Sequence, residues 1–561
     1  MKSYHRINDF VSLPKGSLFI FRVLIIVLVP LFSVEPQWPS SVEEELIIGG
    51  GRYPQAVSDG DGGVIVCWQW FGEPGGIYMQ RVDKYGYKCF PEPIHIQGLH
   101  DSETLMDHKI VTDGKGGVYV LFQDIIFWDY PNIQNRHLRL HHIDSSGTFL
   151  WGKGGILIAT PVDTTIRCYH DPTGSCIYDG EGGLIVAWQD YRYTDRYLPY
   201  GHVFIQKYKS DGKSLWDSGG VQLTDSLIIC PYPKLCTDGD GGAYVYYEKL
   251  QRVDRYGRKR WGSGIKFSDS GVHNLNYDLQ EGVYCVGFYY PNYPESYLYC
   301  LRVDSSGTPI WNQRVFLDTI YSGKFPYRIL SVTNVDSSIS IVTPDNRLFR
   351  ISPDGEMIYG NEGILVDTVG VVQSLLSDKD GSNIVLWVSH GIKASKFDRY
   401  GRPCWENQPL LITKQRMNNV GDAIINDDGS IIVAMEITIG YITVKRITSD
   451  GKIGGDDVGI VENKESNHIR YFQLYGICPN PFNEATVISY ELYRKEKVEL
   501  SIYNIEGKEV AKLVNKEHVP GYYKVRWNGR NKSGEKVPSG IYIAVLKVAE
   551  YKKSFKITLL R

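Results

Sequence analysis

Pairs of carboxylates two residues apart recur along this chain: Asp59 with Asp61, Asp179 with Glu181, Asp238 with Asp240, and Asp378 with Asp380. Oxygen donors at that spacing open calcium-binding loops, so calcium is a candidate cofactor, with Asp59, Asp61, Asp238 and Asp240 as its metal ligands. Calcium takes six to eight oxygens, however, and these segments offer few more. In a further copy Lys115 fills the second acidic position, where it would repel a cation. The competing reading is plain turn chemistry, because Asp and Gly together favour tight turns. A second group of residues is suited to binding. Aromatics cluster at Trp70 and Phe71, at Phe127, Trp128 and Tyr130, at Tyr191, Tyr193 and Tyr197, and at Tyr289, Tyr290 and Tyr293. Such rings stack on sugars or on peptide side chains, and Arg192 and Arg196 among them could hold carboxylates or sulfates. The alternative is that these rings pack on one another to support long loops. No Ser-His-Asp order, HExxH or phosphate-cradling glycine loop can be argued, so no catalytic residue is assigned.

The carboxylate pairs belong to a repeat. Asp59-Gly-Asp-Gly-Gly63 precedes Val64-Ile-Val-Cys-Trp68, and the pattern returns at Asp113, Asp179 and Asp238, with weaker copies near Asp278, Asn334, Asp378 and Asn426. Each copy has a second half, such as Asp254-Arg-Tyr-Gly257 leading to Trp261 or Asp304-Ser-Ser-Gly307 leading to Trp311. This is hairpin chemistry, with the trailing aromatic placed to wedge between neighbouring units. Apolar runs such as Leu184-Ile-Val-Ala-Trp188 do not alternate, so both faces of each sheet must be covered. Four strands per unit at a period near fifty residues predict a β-propeller, all-β, with eight blades favoured over seven. A fragment at either end, Leu46-Ile-Ile48 or Gly459-Ile-Val461, is available to complete the blade at the other end. If the repeat phase holds, the aromatic loops emerge from one rim of the disc.

The bulk composition narrows the partners. Lys plus Arg is 61 against 64 for Asp plus Glu, a formal charge of -3, so nothing collects phosphates and nucleic acid is excluded as an expected partner. Tyr is abundant, 40 residues beside 12 Trp and 6 Met, which suits sheets as well as binding surfaces. At the N-terminus, Lys2, His5, Arg6, Lys15 and Arg22 precede the uncharged stretch Val23–Val34. As a helix that stretch rises about 18 Å against the ~30 Å of a bilayer core, so residues 1–34 read as a signal peptide cleaved between Ser33 and Ser41. An uncleaved anchor counted from Leu18 is the alternative. Ten cysteines in an exported chain permit disulfides, with Cys285 and Cys300 placed on adjacent strands, but buried free thiols fit equally well.

The propeller is expected over residues 42–464, a linker over 465–475, and a different domain over 476–561. There, Pro479-Asn-Pro-Phe-Asn483, Thr486-Val-Ile-Ser-Tyr490, Val498-Glu-Leu-Ser-Ile-Tyr-Asn504, Gly521-Tyr-Tyr-Lys-Val-Arg-Trp527 and Val537-Pro-Ser-Gly-Ile-Tyr542 run in order. Alternating strands with Asn-Gly and Ser-Gly turns predict a small Ig-like β-sandwich. The segment resembles the C-terminal sorting domain of type 9 secretion cargo, related to the immunoglobulin-like domain of the flagellar hook-capping protein. That resemblance implies secretion across an outer membrane, attachment to the cell surface through the export machinery, and removal of the domain; it implies nothing about activity. The Asp-Gly-x-Gly-Gly repeats more loosely resemble those of such cargo. Asp144-Ser-Ser-Gly-Thr148 is similar to the Asp-box of sialidases, but its spacings differ and the hydrolytic residues cannot be placed. The expected function is a non-catalytic cell-surface binding or scaffold protein engaging an extracellular glycan or protein. A propeller glycoside hydrolase or polysaccharide lyase is the alternative.

Overall fold

The computed structural model describes residues 38–560 except 73, 97–103, 129–132, 160–173, 191–199, 230–231, 268–269, 293–294, 322–328, 415–416, 438–439, 455–471, 479, 481, 493–494, 520 and 549–550. The proposed signal peptide lies outside these residues. Among them no segment is helical, and none is a helix able to cross a membrane.

Eight antiparallel sheets make a propeller. Blade 1 is Arg52–Ser58, Val64–Trp70, Gly76–Val82 and Ile94–Ile96, hydrogen-bonded in sequence order. Blades 2 to 7 repeat that order over 104–159, 174–229, 234–266, 270–321, 330–365 and 371–413, and blade 3 adds a short fifth strand, Ile228–Ile229. Blade 8 takes three strands from 417–447, and its fourth is Leu46–Gly50, paired to Tyr441–Ile447. The N-terminal fragment therefore closes the ring. Each first strand packs on the first strand of the next blade, and Met417–Ile425 returns to Arg52–Ser58.

The repeat residues explain the geometry. Asp59 Oδ1 accepts the N–H groups of Asp61 and Gly63 at 2.9 and 2.8 Å, fixing the turn between the first two strands. Gly60 and Gly62 supply its left-handed φ values of 75° and 86°, and a Cβ on Gly63 would sit 2.3 Å from the Val82 carbonyl. Second strands such as Val64–Trp68 are buried on both faces, because blades stack radially and each apolar layer lies between two sheets.

The trailing aromatics rivet one blade to the next. Trp216 Nε1 donates to the Arg255 carbonyl at 3.0 Å, Trp261 to Ser305 at 3.2 Å, Trp311 to Pro353 at 2.9 Å and Trp405 to Ser449 at 3.1 Å. Each acceptor lies in the third-to-fourth-strand turn of the following blade. Blade 8 lacks such an aromatic after Gly451, and Trp38 fills the place, donating to the Lys84 carbonyl at 2.9 Å and buried between blades 8 and 1.

A charge accompanies each rivet. Asp59 pairs with Arg81, Asp113 with His142, Asp179 with Lys207, Asp238 with Arg252, Asp278 with Arg302 and Asp378 with Lys396, at 2.7 to 3.3 Å. Blades 6 and 8 carry Asn334 and Asn426 instead. There the arginine reaches an acid two residues later, Arg350 to Asp336 at 2.8 Å and Arg446 to Asp428 at 2.5 Å. A buried basic side chain thus faces an acid in all eight blades, as burial demands of the arginines and lysines among them.

In the C-terminal region, Phe472–Cys478, Thr486–Leu492 and Gly521–Trp527 form one sheet, and Glu509–His518, Glu496–Asn504, Gly540–Val548 and Tyr551–Leu559 the other. Ile488, Tyr490, Leu500, Trp527, Leu546 and Ile557 fill the core between them. Strand pairing begins at Phe472, within the segment 465–475 expected as linker. The thiols of Cys67, Cys176, Cys236, Cys285, Cys300 and Cys404 form no disulfide. Those two pair with Leu301 and Val286 in register, which places them on opposite faces of blade 5, in different apolar layers, and rules out a bridge between them.

Candidate functional site

The two faces of the disc differ. One carries all the Asp-Gly turns, and there the acidic pairs are already engaged. Asp59 faces Arg81 at 2.9 Å, Asp61 faces Lys84 at 3.0 Å, Asp238 faces Arg252 at 3.1 Å and Asp240 faces Arg255 at 3.4 Å. Calcium at these turns would have to displace a guanidinium or ammonium from each. Among the described residues no three His, Cys, Asp or Glu side chains converge as a metal site.

The opposite face receives the connections between second and third strands. Trp70 and Phe71 end the second strand of blade 1, and Phe127 and Trp128 end Val118–Trp128 in blade 2. Phe71 is 53 % exposed, Tyr290 41 % and Trp70 38 %. Trp70 lies against Gly50 and Gly72, where added Cβ atoms would come within 2.9 and 2.6 Å of its ring. Tyr289 carries the Arg314 guanidinium over its ring at 4.7 Å and packs near Phe316, so it serves blade 5 internally. Tyr130, Tyr191, Arg192, Tyr193, Arg196, Tyr197 and Tyr293, and the side chains of Phe127 and Trp128, fall outside the described residues.

A cavity of about 750 Å³ is lined by residues of blades 1 to 4, mostly from their first strands. Phe71 forms one wall with Tyr53, their rings edge to face at 6.4 Å and 83°. Tyr53 is 51 % exposed and holds a φ of 56°, a conformation a bulky side chain rarely adopts and one found most often at binding sites. Gln69, Gln123 and Tyr232 add polar groups, and Lys109 and Lys234 point positive charge into the space. His108 lies beneath them, buried, with Nε2 3.2 Å from the Cys67 carbonyl and Nδ1 without a partner among the described residues. Burial pushes its imidazole down to about 4, with Lys109 acting in the same direction, so the ring is neutral at physiological pH. Burial also lowers the Lys234 ammonium below its usual value, and the neighbouring Lys109 lowers it further. Phe71 also lines a second cavity of about 500 Å³ with Arg52, Trp70 and Tyr441.

Sequence reasoning singled out Phe71, which lines this cavity, and Trp70, which lines the second, but missed Tyr53, His108, Lys109, Tyr232 and Lys234. A signal was present. Lys109 and Lys234 each stand four residues before a turn acid, Asp113 and Asp238, where blade 1 has Gln55 before Asp59.

The chain is therefore an eight-bladed propeller followed by an Ig-like sandwich. Residues 484–551 match the FlgD Ig-like domain family. A comparison with curated proteins gives no match. Among solved structures, the chain is similar to a protein of unknown function from Bacteroides caccae, at 14 % identity and a TM-score of 0.28, over 45 % of this chain and 88 % of that one. It is also similar to PorZ, a surface component of the type-IX secretion system of Porphyromonas gingivalis, at 12 % identity and a TM-score of 0.22, over 89 % and 74 %. A puromycin hydrolase aligns at 12 % identity and a TM-score of 0.38, over 81 % and 61 %. These likenesses are too loose to transfer a function.

Proposed function

We propose that this is an exported cell-surface binding or scaffold protein whose Ig-like domain directs sorting and whose propeller mouth engages an extracellular glycan or protein. The observation that carries the reading is the 750 Å³ cavity walled by the exposed Phe71 and Tyr53. Its size and its mixture of aromatic and amide groups match small-ligand sites, and it stands on a rigid scaffold where binding groups gather. The exposed rings of Trp70, Phe71 and Tyr290 at the ends of second strands support the same reading. The sorting role is supported by the Ig-like match of residues 484–551 and by the motifs that resemble secretion cargo. The acids nearest the mouth have backbone duties: Asp422 Oδ2 accepts the Ala56 N–H, and Glu436 Oε2 accepts that of Tyr53. This favours binding over hydrolysis.

The test is an array of glycans and matrix proteins probed with wild type, Phe71→Ala and Tyr53→Ala at matched melting temperature. Binding by wild type that both variants lose supports the reading; equal binding by all three refutes it. In the native host, truncation before Phe472 should abolish surface display, and unchanged display would refute the sorting role.

A further inference from the structure

The innermost strand of each blade has one edge without a strand partner, and it faces the axis. Around part of the ring, the side chain four residues before a turn residue of one blade saturates the edge of the next. Gln55 Nε2 donates to the His108 carbonyl at 2.6 Å while its Oε1 accepts the Ile110 N–H at 3.2 Å. Asp422 Oδ2 accepts the Ala56 N–H at 3.3 Å, and Asn274 Nδ2 donates to the Ile329 carbonyl at 2.7 Å. At the corresponding places in blades 2 and 4 stand Lys109 and Lys234. An ammonium only donates, so it cannot satisfy an edge N–H as Gln55 and Asp422 do.

Both lysines are exposed to the cavity, and no carboxylate among the described residues lies within ion-pairing distance of either. Burial and then the charge of Lys109 lower the Lys234 ammonium below its usual value, and between the two blade 3 lines the cavity with Gly174 and Ser175, which leave room. Elsewhere in this ring the buried basic side chains of the turn face each meet an acid, whereas these two exposed lysines line a cavity with no acid in reach among the described residues. Two positive charges lining one cavity, with no counter-ion among the described residues, are complementary to an oxyanion.

We propose that the cavity binds a sugar carrying a carboxylate or sulfate, the acid group held between Lys109 and Lys234 and the sugar ring laid on Phe71. The inference rests on reading the mouth as a ligand site. A free oxyanion would have no use for the Tyr53–Phe71 wall. Gln69 and Gln123 beside it offer both donors and acceptors, which suits hydroxyls.

The experiment is isothermal titration of the full chain with a neutral hexose oligosaccharide, an oligouronate, a sulfated oligosaccharide and a poly-glutamate peptide, at 50 and 500 mM salt. The expected result is binding of the oligouronate or the sulfated sugar, weakened at least tenfold by either Lys109→Met or Lys234→Met, by high salt, and by Phe71→Ala. The two acidic arms show which oxyanion is taken. Both lysines are exposed, so melting temperatures at or above wild type verify folding. Neutral and acidic sugars bound equally, with the lysine variants unaffected, overturns the charge claim while leaving a binding mouth. Binding of poly-glutamate alone overturns the sugar and replaces it with an acidic protein partner. No sugar or peptide binding sensitive to Phe71→Ala overturns the mouth itself.

Discussion

Trp311 measures how much of the ring is held by packing between blades. Its indole is buried to 7 % exposure in the apolar layer joining blades 5 and 6, with its centroid 5.8 Å from that of Tyr284. Its N–H donates to the Pro353 carbonyl at 2.9 Å, and Arg302 Nη1 donates to that same oxygen at 3.0 Å. Trp311→Ala removes a large buried ring and leaves a cavity, a loss of roughly 3–5 kcal/mol. Trp311→Phe keeps most of the ring and loses only the N–H, and because Arg302 still serves the carbonyl, the loss is held to about 1 kcal/mol. Unfolding entropy of roughly 2.1 cal/mol/K per residue over roughly 400 residues is about 0.8 kcal/mol/K. The alanine variant should therefore melt about 4–6 °C lower and the phenylalanine variant about 1 °C lower. Scanning calorimetry reads both. Equal drops would mean that the hydrogen bond, not the ring, joins the blades, and no drop in either would refute the wedged geometry altogether.

The counter-charge rule predicts that Asp278→Asn, which strands the buried Arg302 beside the neutral Gln280, costs roughly 3–5 kcal/mol. Adding Gln280→Asp should restore most of it, as Asp336 does for Arg350; denaturant midpoints of single and double variants decide. His108 titrates near 4 when folded and near 6.5 when unfolded, so the unfolded chain takes up the proton first as pH falls. Its contribution is full above pH 6.5 and lost as pH drops toward 4, by about 3 kcal/mol, and His108→Asn should flatten that part of the stability–pH curve. Deleting residues 38–50 removes Trp38 and the closing strand Leu46–Gly50, and leaves the edge of Tyr441–Ile447 bare. A lower melting temperature with self-association on gel filtration is expected, and an unchanged monomer would show the closure to be dispensable.

The propeller was legible because its signals are local. Asp59 caps N–H groups two and four residues on, and Trp216 and Trp311 follow their turns at a fixed offset, so residue type and spacing carry the information. The counter-charge of Asp59 was not readable, since Arg81 sits on the third strand and the pair forms only when the sheet does. An acidic turn seen without its arginine looks like a cation site. Trp38 escaped notice for a similar reason: it belongs to blade 8, yet the chain supplies it from before blade 1. Tyr53, Lys109 and Lys234 come from blades 1, 2 and 4, and only a closed ring brings them to one cavity.

The contrast between the faces indicates where selection by a ligand can act. On the turn face a single carbonyl such as that of Ser210 or Pro353 accepts both an indole and a basic side chain, and the same basic side chain holds a turn acid. A substitution there breaks a joint between blades, so that surface is not free to vary for recognition. At the mouth, Gln55 and Asp422 still join neighbouring blades, whereas no such bond from Lys109, Ser175 or Lys234 is present among the described residues. Lys109 and Lys234 line the cavity with no acid in ion-pairing distance among the described residues, and the proposal that the mouth recognises a ligand stands on that pair together with the exposed rings of Tyr53 and Phe71.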